Sequence, residues 1–322
     1  MVFLFLFSIT SLNIQYNKVI HLIKDILKKR LIIIFISLSV FILTLLFPEM
    51  NLQTNNLTIT YNSTPWSLYI PNKDQLASRI KVMSKSDNIE DKAKEIISYL
   101  TIGSSNTIYL PDAFFPIIPY NTTINNIKIE NKILHINFSK ELLSLNKNNA
   151  RLALECITYS LLEIESIEGI IIYVDNELLT SVPETNERIT YPLTRQFGIN
   201  RINKIQNIKN TSITTSYYKA NEKNYFYSIP VTTIQNSNQN KIEIVIEELK
   251  SNPHIKTNIT SYLKASTELE NYETLENEIK LSFKNLLDEE IIEETTYAIS
   301  LSLRDTLNIS KVEITKPLEQ PQ

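Results

Sequence analysis

Glycine is nearly missing from this chain: Gly103, Gly169 and Gly198 are the only three in 322 residues, and they stand far apart. A phosphate-cradling loop needs clustered glycines so that backbone N–H groups can approach the anion, and neither nucleotide-binding fingerprint can be written with these three. Cysteine is scarcer still. The lone Cys156 excludes an internal disulfide and a zinc cluster of the multi-cysteine type. Positive charge is not in surplus either. With 32 Lys and Arg against 35 Asp and Glu, the formal charge is -3, which gives no basic excess for coating nucleic acid. What remains is ordinary globular composition, 43% hydrophobic and 21% charged, over a length that suits about two domains.

The N-terminal part holds one long apolar run. Residues 31–47 read LIIIFISLSVFILTLLF, without a charge. At ~1.5 Å per residue such a helix reaches about 25 Å, the short end for crossing a bilayer core. Lys24, Lys28, Lys29 and Arg30 precede it, while Pro48 and Glu49 follow. That asymmetry predicts a cytoplasmic N-terminus and an outer part from residue 50 onward. No small-x-small cleavage site follows the run, so a retained single-pass anchor is expected in place of a cleaved signal peptide. The stretch from Met1 to Phe7 is too short to span.

Beyond a polar tether the sequence repeats itself. Leu134-His135-Ile136-Asn137-Phe138 recurs as Ile279-Lys280-Leu281-Ser282-Phe283, with the same alternation at an offset of 145 from Leu134 to Ile279. Both blocks predict strands with the apolar residues on one face. A helix is expected after each. The first carries Ala150, Leu154, Ile157, Leu161 and Ile164, and the second has a cap at Asp288 and an apolar face of Ile292, Ile299 and Leu303. Final strands are expected at Ile170 to Val174 and at Val312 to Thr315. The front halves match less cleanly: Ser67-Leu68-Tyr69-Ile70-Pro71-Asn72 aligns with Ser216-Tyr217-Tyr218-Lys219-Ala220-Asn221. A helix with Ile89, Ala93, Ile96 and Leu100 on one side then follows, with Asp87 and Glu90 at capping-box spacing. Its counterpart carries Ile242, Val245, Ile246 and Leu249. Each module therefore reads strand, strand, helix, strands, helix, strand. The fold class is α/β (α+β): two tandem small two-layer modules, with helices on one face of a mixed sheet. The divisions are 1–30 stub, 31–47 transmembrane helix, 48–62 tether, 63–180 first module, 181–212 polar linker, 213–316 second module and 317–322 tail.

These residues resemble the GerMN domain of sporulation and spore-germination proteins of the GerM type. The matching pieces are Leu68-Tyr69-Ile70-Pro71, the helix end Leu100 to Gly103, Ile118-Pro119, His135-Ile136-Asn137-Phe138-Ser139 and Ile170-Ile171-Ile172-Tyr173-Val174-Asp175. In the second copy Lys280-Leu281-Ser282-Phe283 and Asp305-Thr306-Leu307 correspond. The resemblance implies a fold similar to the ring-building motifs of secretion-system and sporulation-channel proteins. It also implies a role in the envelope assembly of spore development and germination. Its implied partners are envelope or sporulation-channel proteins, including further copies of the chain. Two departures stand out: no cysteine follows the apolar run to carry a lipid, and Asn176 sits where a glycine commonly ends the module's last strand.

Candidate chemistry is thin. His135 has Lys280 as its counterpart, so no shared reaction needs an imidazole there, and a solvated or packing role is expected. His254 has no histidine at ligand spacing, and His21 belongs to the stub. Cys156 aligns with Leu301 and is expected to be a small buried hydrophobe. The acidic run Asp288, Glu289, Glu290, Glu293, Glu294 lacks calcium-loop spacing and suits a solvated helix face. No catalytic residue, metal site or cofactor is expected, since no constellation supplies nucleophile, base and orienter together. Trp66, Tyr69 and Tyr120 remain as candidate contacts for a partner or for cell-wall glycan, through aromatic platforms. The expected function is that of an extracytoplasmic scaffold. The alternative is a glycan- or small-ligand-binding module (peptidoglycan included) without catalysis.

Overall fold

The computed structural model describes residues 20, 23–39, 64–207, 209–253, 259–284 and 289–315, with side chains omitted at 289–292 and 315. Two compact units divide the chain, Met1–Tyr61 and Asn62–Gln322. In the first, residues 23–39 form a helix, α1, and every one of those side chains is exposed. Among the described residues no helix is long and apolar enough to cross a membrane. Positions 40–47 of the expected span lie outside the described residues, as do His21, Met1 to Phe7, the tether and the tail.

The second unit contains the repeat. Module one runs β1 (Thr64–Pro71), β2 (Ala77–Ser84), α2 (Ile89–Leu100), β3 (Ile124–Glu130), β4 (Ile133–Phe138), α3 (Lys147–Leu161), β5 (Gly169–Val174) and β6 (Glu177–Leu178). After β7 (Ile202–Asn203), module two runs β8 (Thr211–Glu222), β9 (Tyr225–Asn236), α4 (Lys241–Leu249), β10 (Ile259–Thr260), β11 (Leu269–Thr274), β12 (Glu278–Phe283), α5 (Glu289–Leu307) and β13 (Lys311–Thr315). The element order read from sequence is present in both copies.

The strands sort differently from one sheet per module. In module one β3 pairs antiparallel with β4, and β4 pairs parallel with β5. In module two β11, β12 and β13 repeat that mixed arrangement. The front hairpins leave these sheets and join one another in the order β1-β2-β9-β8-β10, with β7 beside β9. The modules are thus continuous through one shared sheet. Its central junction is the antiparallel pairing of Arg79 with Ser228.

Continuing that register sets Ala77 opposite Pro230, which has no N–H to donate. The Asn200 amide fills the gap. Its Oδ1 accepts the Ala77 N–H at 2.9 Å, while its Nδ2 donates to Ala77 O at 2.8 Å and Pro230 O at 2.7 Å. Buried backbone groups that lose a ladder partner are thereby satisfied by a side chain. Asn200 comes from the connection 181–212, which is built into both modules. Val182, Leu193 and Ile199 of that stretch are buried, and Ile199 exchanges hydrogen bonds with Thr232 at 2.9 Å each way.

Asparagine does the work that scarce glycine would do. Of twelve non-glycine residues at positive φ among the described residues, seven are asparagine (121, 131, 176, 200, 210, 224 and 308). Its short amide tolerates the left-handed region better than other side chains. The two-residue turns Asn131-Lys132, Asp175-Asn176 and Lys223-Asn224 hold positive φ at both positions, which matches the twist of the flanking strands. Asn176, the position where a glycine was expected by resemblance, has φ 70 and donates its N–H to Asn137 Oδ1 at 3.0 Å.

Local readings shift by small steps. The cap of α2 is Asn88, whose side chain accepts the Asp91 N–H at 2.8 Å, one residue later than the expected Asp87–Glu90 pair. The cap expected at Asp288 lies outside the described residues, as does the side chain of Ile292. Ile299 and Leu303 of that stripe are buried.

Candidate functional site

The two modules meet on a buried pair of tyrosines. Tyr69 on β1 donates its backbone N–H to Ser160 Oγ at 2.9 Å, and Tyr217 on β8 does the same to Ser302 Oγ at 3.0 Å. One helical turn beyond each serine stands an acid, Glu163 or Asp305. The tyrosine hydroxyls touch at 2.6 Å. Tyr217 Oη donates its one proton to Asp305 Oδ2 at 2.5 Å, so Tyr69 is the donor between the rings. The 3.2 Å contact from Tyr69 Oη to Glu163 Oε1 is a minor branch of the same proton.

Three guanidiniums close around this core. Arg195 reaches Glu163 at 2.8 Å and Asp305 at 3.1 Å, and Arg304 reaches the same two acids at 2.7 and 2.8 Å. Arg79 lies 3.4 Å from Glu163 and donates to Ser67 Oγ at 2.6 Å. Burial alone would push the Glu163 carboxyl up. Arg195, Arg304 and Arg79 outweigh it and hold the group well below the usual carboxylate range. Burial also pushes both tyrosine hydroxyls up, so they stay protonated as donors. The surplus positive charge rests on aromatic faces, Arg79 over Tyr297 at 5.2 Å and Arg195 over Tyr159 at 5.3 Å. This cluster joins module one, the connection and module two. It is a clamp, since it offers no reacting group to solvent.

Sequence reasoning gave none of these charged residues a site role, and Asp305 entered it only within the matching stretch Asp305-Thr306-Leu307. A usable signal was there: Tyr69, Ser160 and Glu163 recur as Tyr217, Ser302 and Asp305. The offsets that expose it are 148 (Tyr69 to Tyr217) and 142 (Ser160 to Ser302, Glu163 to Asp305), not the 145 of the β4 block. The helix offset drops because eight residues (139–146) join β4 to α3, while five (284–288) join β12 to α5. Tyr69 thus corresponds to Tyr217 and not Tyr218, and Cys156 to Ala298 and not Leu301. A one-residue slip in a strand exchanges its faces, which is why the sequence alignment hid the pairing.

The aromatic candidates do not gather. Tyr69 is 0% exposed within the clamp and cannot stack on a ligand. Trp66 lines a groove of about 370 Å³ with Asp87, Ile89, Lys92, Ile164, Glu165 and Ser166, and the Lys92 ammonium sits 4.6 Å over its ring. Tyr120 is 64% exposed in the loop after α2. Its ring lies so near Gly103 that a Cβ there would approach it to 2.6 Å.

Of the remaining candidates, His135 and Cys156 are among the described residues. His135 stacks on Tyr173 with ring centroids 6.1 Å apart, beside Asn137, whose Nδ2 donates to Asn176 Oδ1 at 2.8 Å. Cys156 is fully buried, and burial pushes its thiol far above the usual range. His254, Asp288 and the side chains of Glu289 and Glu290 lie outside the described residues.

Two hairpin-and-mixed-sheet modules fused through a shared sheet define a tandem, two-module α/β fold. The family described as Germane, sporulation and spore germination, matches residues 67–180, which is module one. The chain is similar to the spore germination protein GerM of Bacillus subtilis (strain 168), 29% identical over 167 residues, covering 51% of this chain and 45% of that protein. It thus spans just under half the length of this curated relative. The solved tandem GerMN domains of the sporulation protein GerM from Bacillus subtilis match with a TM-score of 0.71 at 20% identity. That match covers 80% of this chain and 92% of the other. The fold is therefore that of tandem GerMN domains.

Proposed function

We propose that this protein is a membrane-anchored assembly component of the cell envelope. It works outside the cytoplasm in sporulation or spore germination, through protein–protein contacts of its two modules and without catalysis. The observation that carries this reading is the clamp with its shared sheet. Three arginines, two acids and two tyrosines are spent on fixing one module against the other, and among the described residues no open site receives comparable chemistry. Two fixed binding units on one chain raise the effective concentration for a multivalent partner. Kinship of module one with the germination family gives the context. The uncharged run 31–47 behind its basic flank supports the anchor.

The test is in-cell crosslinking of the tagged full-length protein through growth and spore development, with partners identified by mass spectrometry. Crosslinks to envelope proteins or to itself, gathered at a developing septum, are expected. A monomer that crosslinks only to wall material overturns the reading and favours cell-wall glycan binding. That rival draws on the groove at Trp66. It requires sedimentation with purified wall to fall when Trp66→Ala is introduced.

A further inference from the structure

The two modules differ at the outer edge of their mixed sheets. In module one the free side of β5 is sealed. Ile170 exchanges N–H···O bonds with Leu193 at 2.9 and 2.8 Å, and Ile172 O accepts from Leu179 N at 3.0 Å. Glu177 and Leu178 pair antiparallel with Val174 and Tyr173. Under this cover Ile170 and Ile172 are both 0% exposed.

In module two the same positions are Val312 and Ile314, paired with Ile279 and Leu281 as Ile170 and Ile172 are paired with Leu134 and Ile136. Their N–H and C=O groups therefore turn to the outer edge. Among the described residues β13 pairs with β12 alone, and Val312 and Ile314 are only half-buried. An edge with open backbone groups and half-covered aliphatic side chains is a template for one more strand. Module one shows its direction, antiparallel.

We propose that the occupant is β13 of a second copy of this chain, giving a symmetric, edge-to-edge dimer. The strand Lys311-Val312-Glu313-Ile314 is self-complementary when centred on Val312. Val312 then faces Val312 of the other copy as a hydrogen-bonded pair, and each Lys311 stands opposite the other copy's Glu313. Centring on Glu313 would oppose like charges, so charge selects the register. This proposal rests on the assembly reading above and names its partner and contact. The interface is small, and anchoring on a common surface would raise the local concentration that a weak contact needs.

Register gives a sharp test. Two differently tagged full-length chains, Lys311→Cys and Glu313→Cys, are coexpressed and oxidised in membranes. Both side chains are exposed, 63% and 45%, and the native Cys156 is buried, so each introduced thiol reports alone. Disulfide formation needs Cα atoms about 4.4–6.8 Å apart, which facing residues of an antiparallel pair satisfy. A mixed disulfide at least tenfold above either variant alone is expected. Charge reversal with Lys311→Glu in a Val312→Cys chain should cut the Val312→Cys homodimer several-fold, and adding Glu313→Lys should restore it. Absence of a mixed disulfide overturns the proposal. So does a dimer that appears only when the chain is cut after Thr315, which would make the tail the occupant. In-cell crosslinks to other envelope proteins in that event leave the assembly reading standing.

Discussion

Glu163 is a buried carboxylate inside a ring of three guanidiniums. Replacing it with alanine leaves those charges buried without their partner, and breaking a buried pair in this way costs about 3–5 kcal/mol. Urea unfolding of Glu163→Ala should show a midpoint lowered to match. Tyr217→Phe removes a hydrogen bond to an ionised acid and one between the rings, for about 1.5–3 kcal/mol. The acid limb of stability follows from the same residue. A carboxyl held below its unfolded value contributes stability that is complete above the ordinary range near 4.3 and is lost as pH falls towards the native value. Stability should therefore decline below about pH 5 in the native protein, and more shallowly in Glu163→Gln, as read from urea midpoints across pH. Cys156→Ala, with alanine already at the equivalent position 298, should be mild.

At the scale of single elements, the turns and the junction strand are the places to probe. Lys132 and Lys223 hold φ of 65° and 47°, where a β-carbon is disfavoured. Lys132→Gly and Lys223→Gly should each stabilise by up to about 1 kcal/mol, measured by thermal unfolding. Asn200→Ala should leave Ala77 and Pro230 carbonyls unsatisfied, at about 1–3 kcal/mol per group. Amide exchange at Ala77 should quicken more than elsewhere in β2.

Elements were also where the sequence was most readable. Strands β4 and β12 announced themselves through strict alternation of Leu134, Ile136, Phe138 and of Ile279, Leu281, Phe283. Helices α2, α3 and α4 announced themselves through apolar spacing. Register was not readable. The position of Tyr217 against Tyr69 depends on loop-length differences that alternation does not record. The clamp was hidden for a related reason, because its arginines come from β2, the connection and α5, each an ordinary charge in its own segment. Of the aromatic candidates, Tyr69 sits on β1 with neighbours no different in kind from those of an exposed strand residue. Only the packing of a second module removes it from solvent.

For the whole molecule, the shared sheet makes the modules one cooperative object. Calorimetry of the intact chain should record a single unfolding transition for residues 62–322, with both modules lost together. Glu163→Ala should lower that one transition without splitting off a stable half.

Because Pro230 and Asn200 close the junction between β2 and β9 from within, the spacing of the two modules is a constant of the fold. A partner that grips both modules meets a ruler of set length. Any assembly that repeats this contact inherits its pitch from the protein itself.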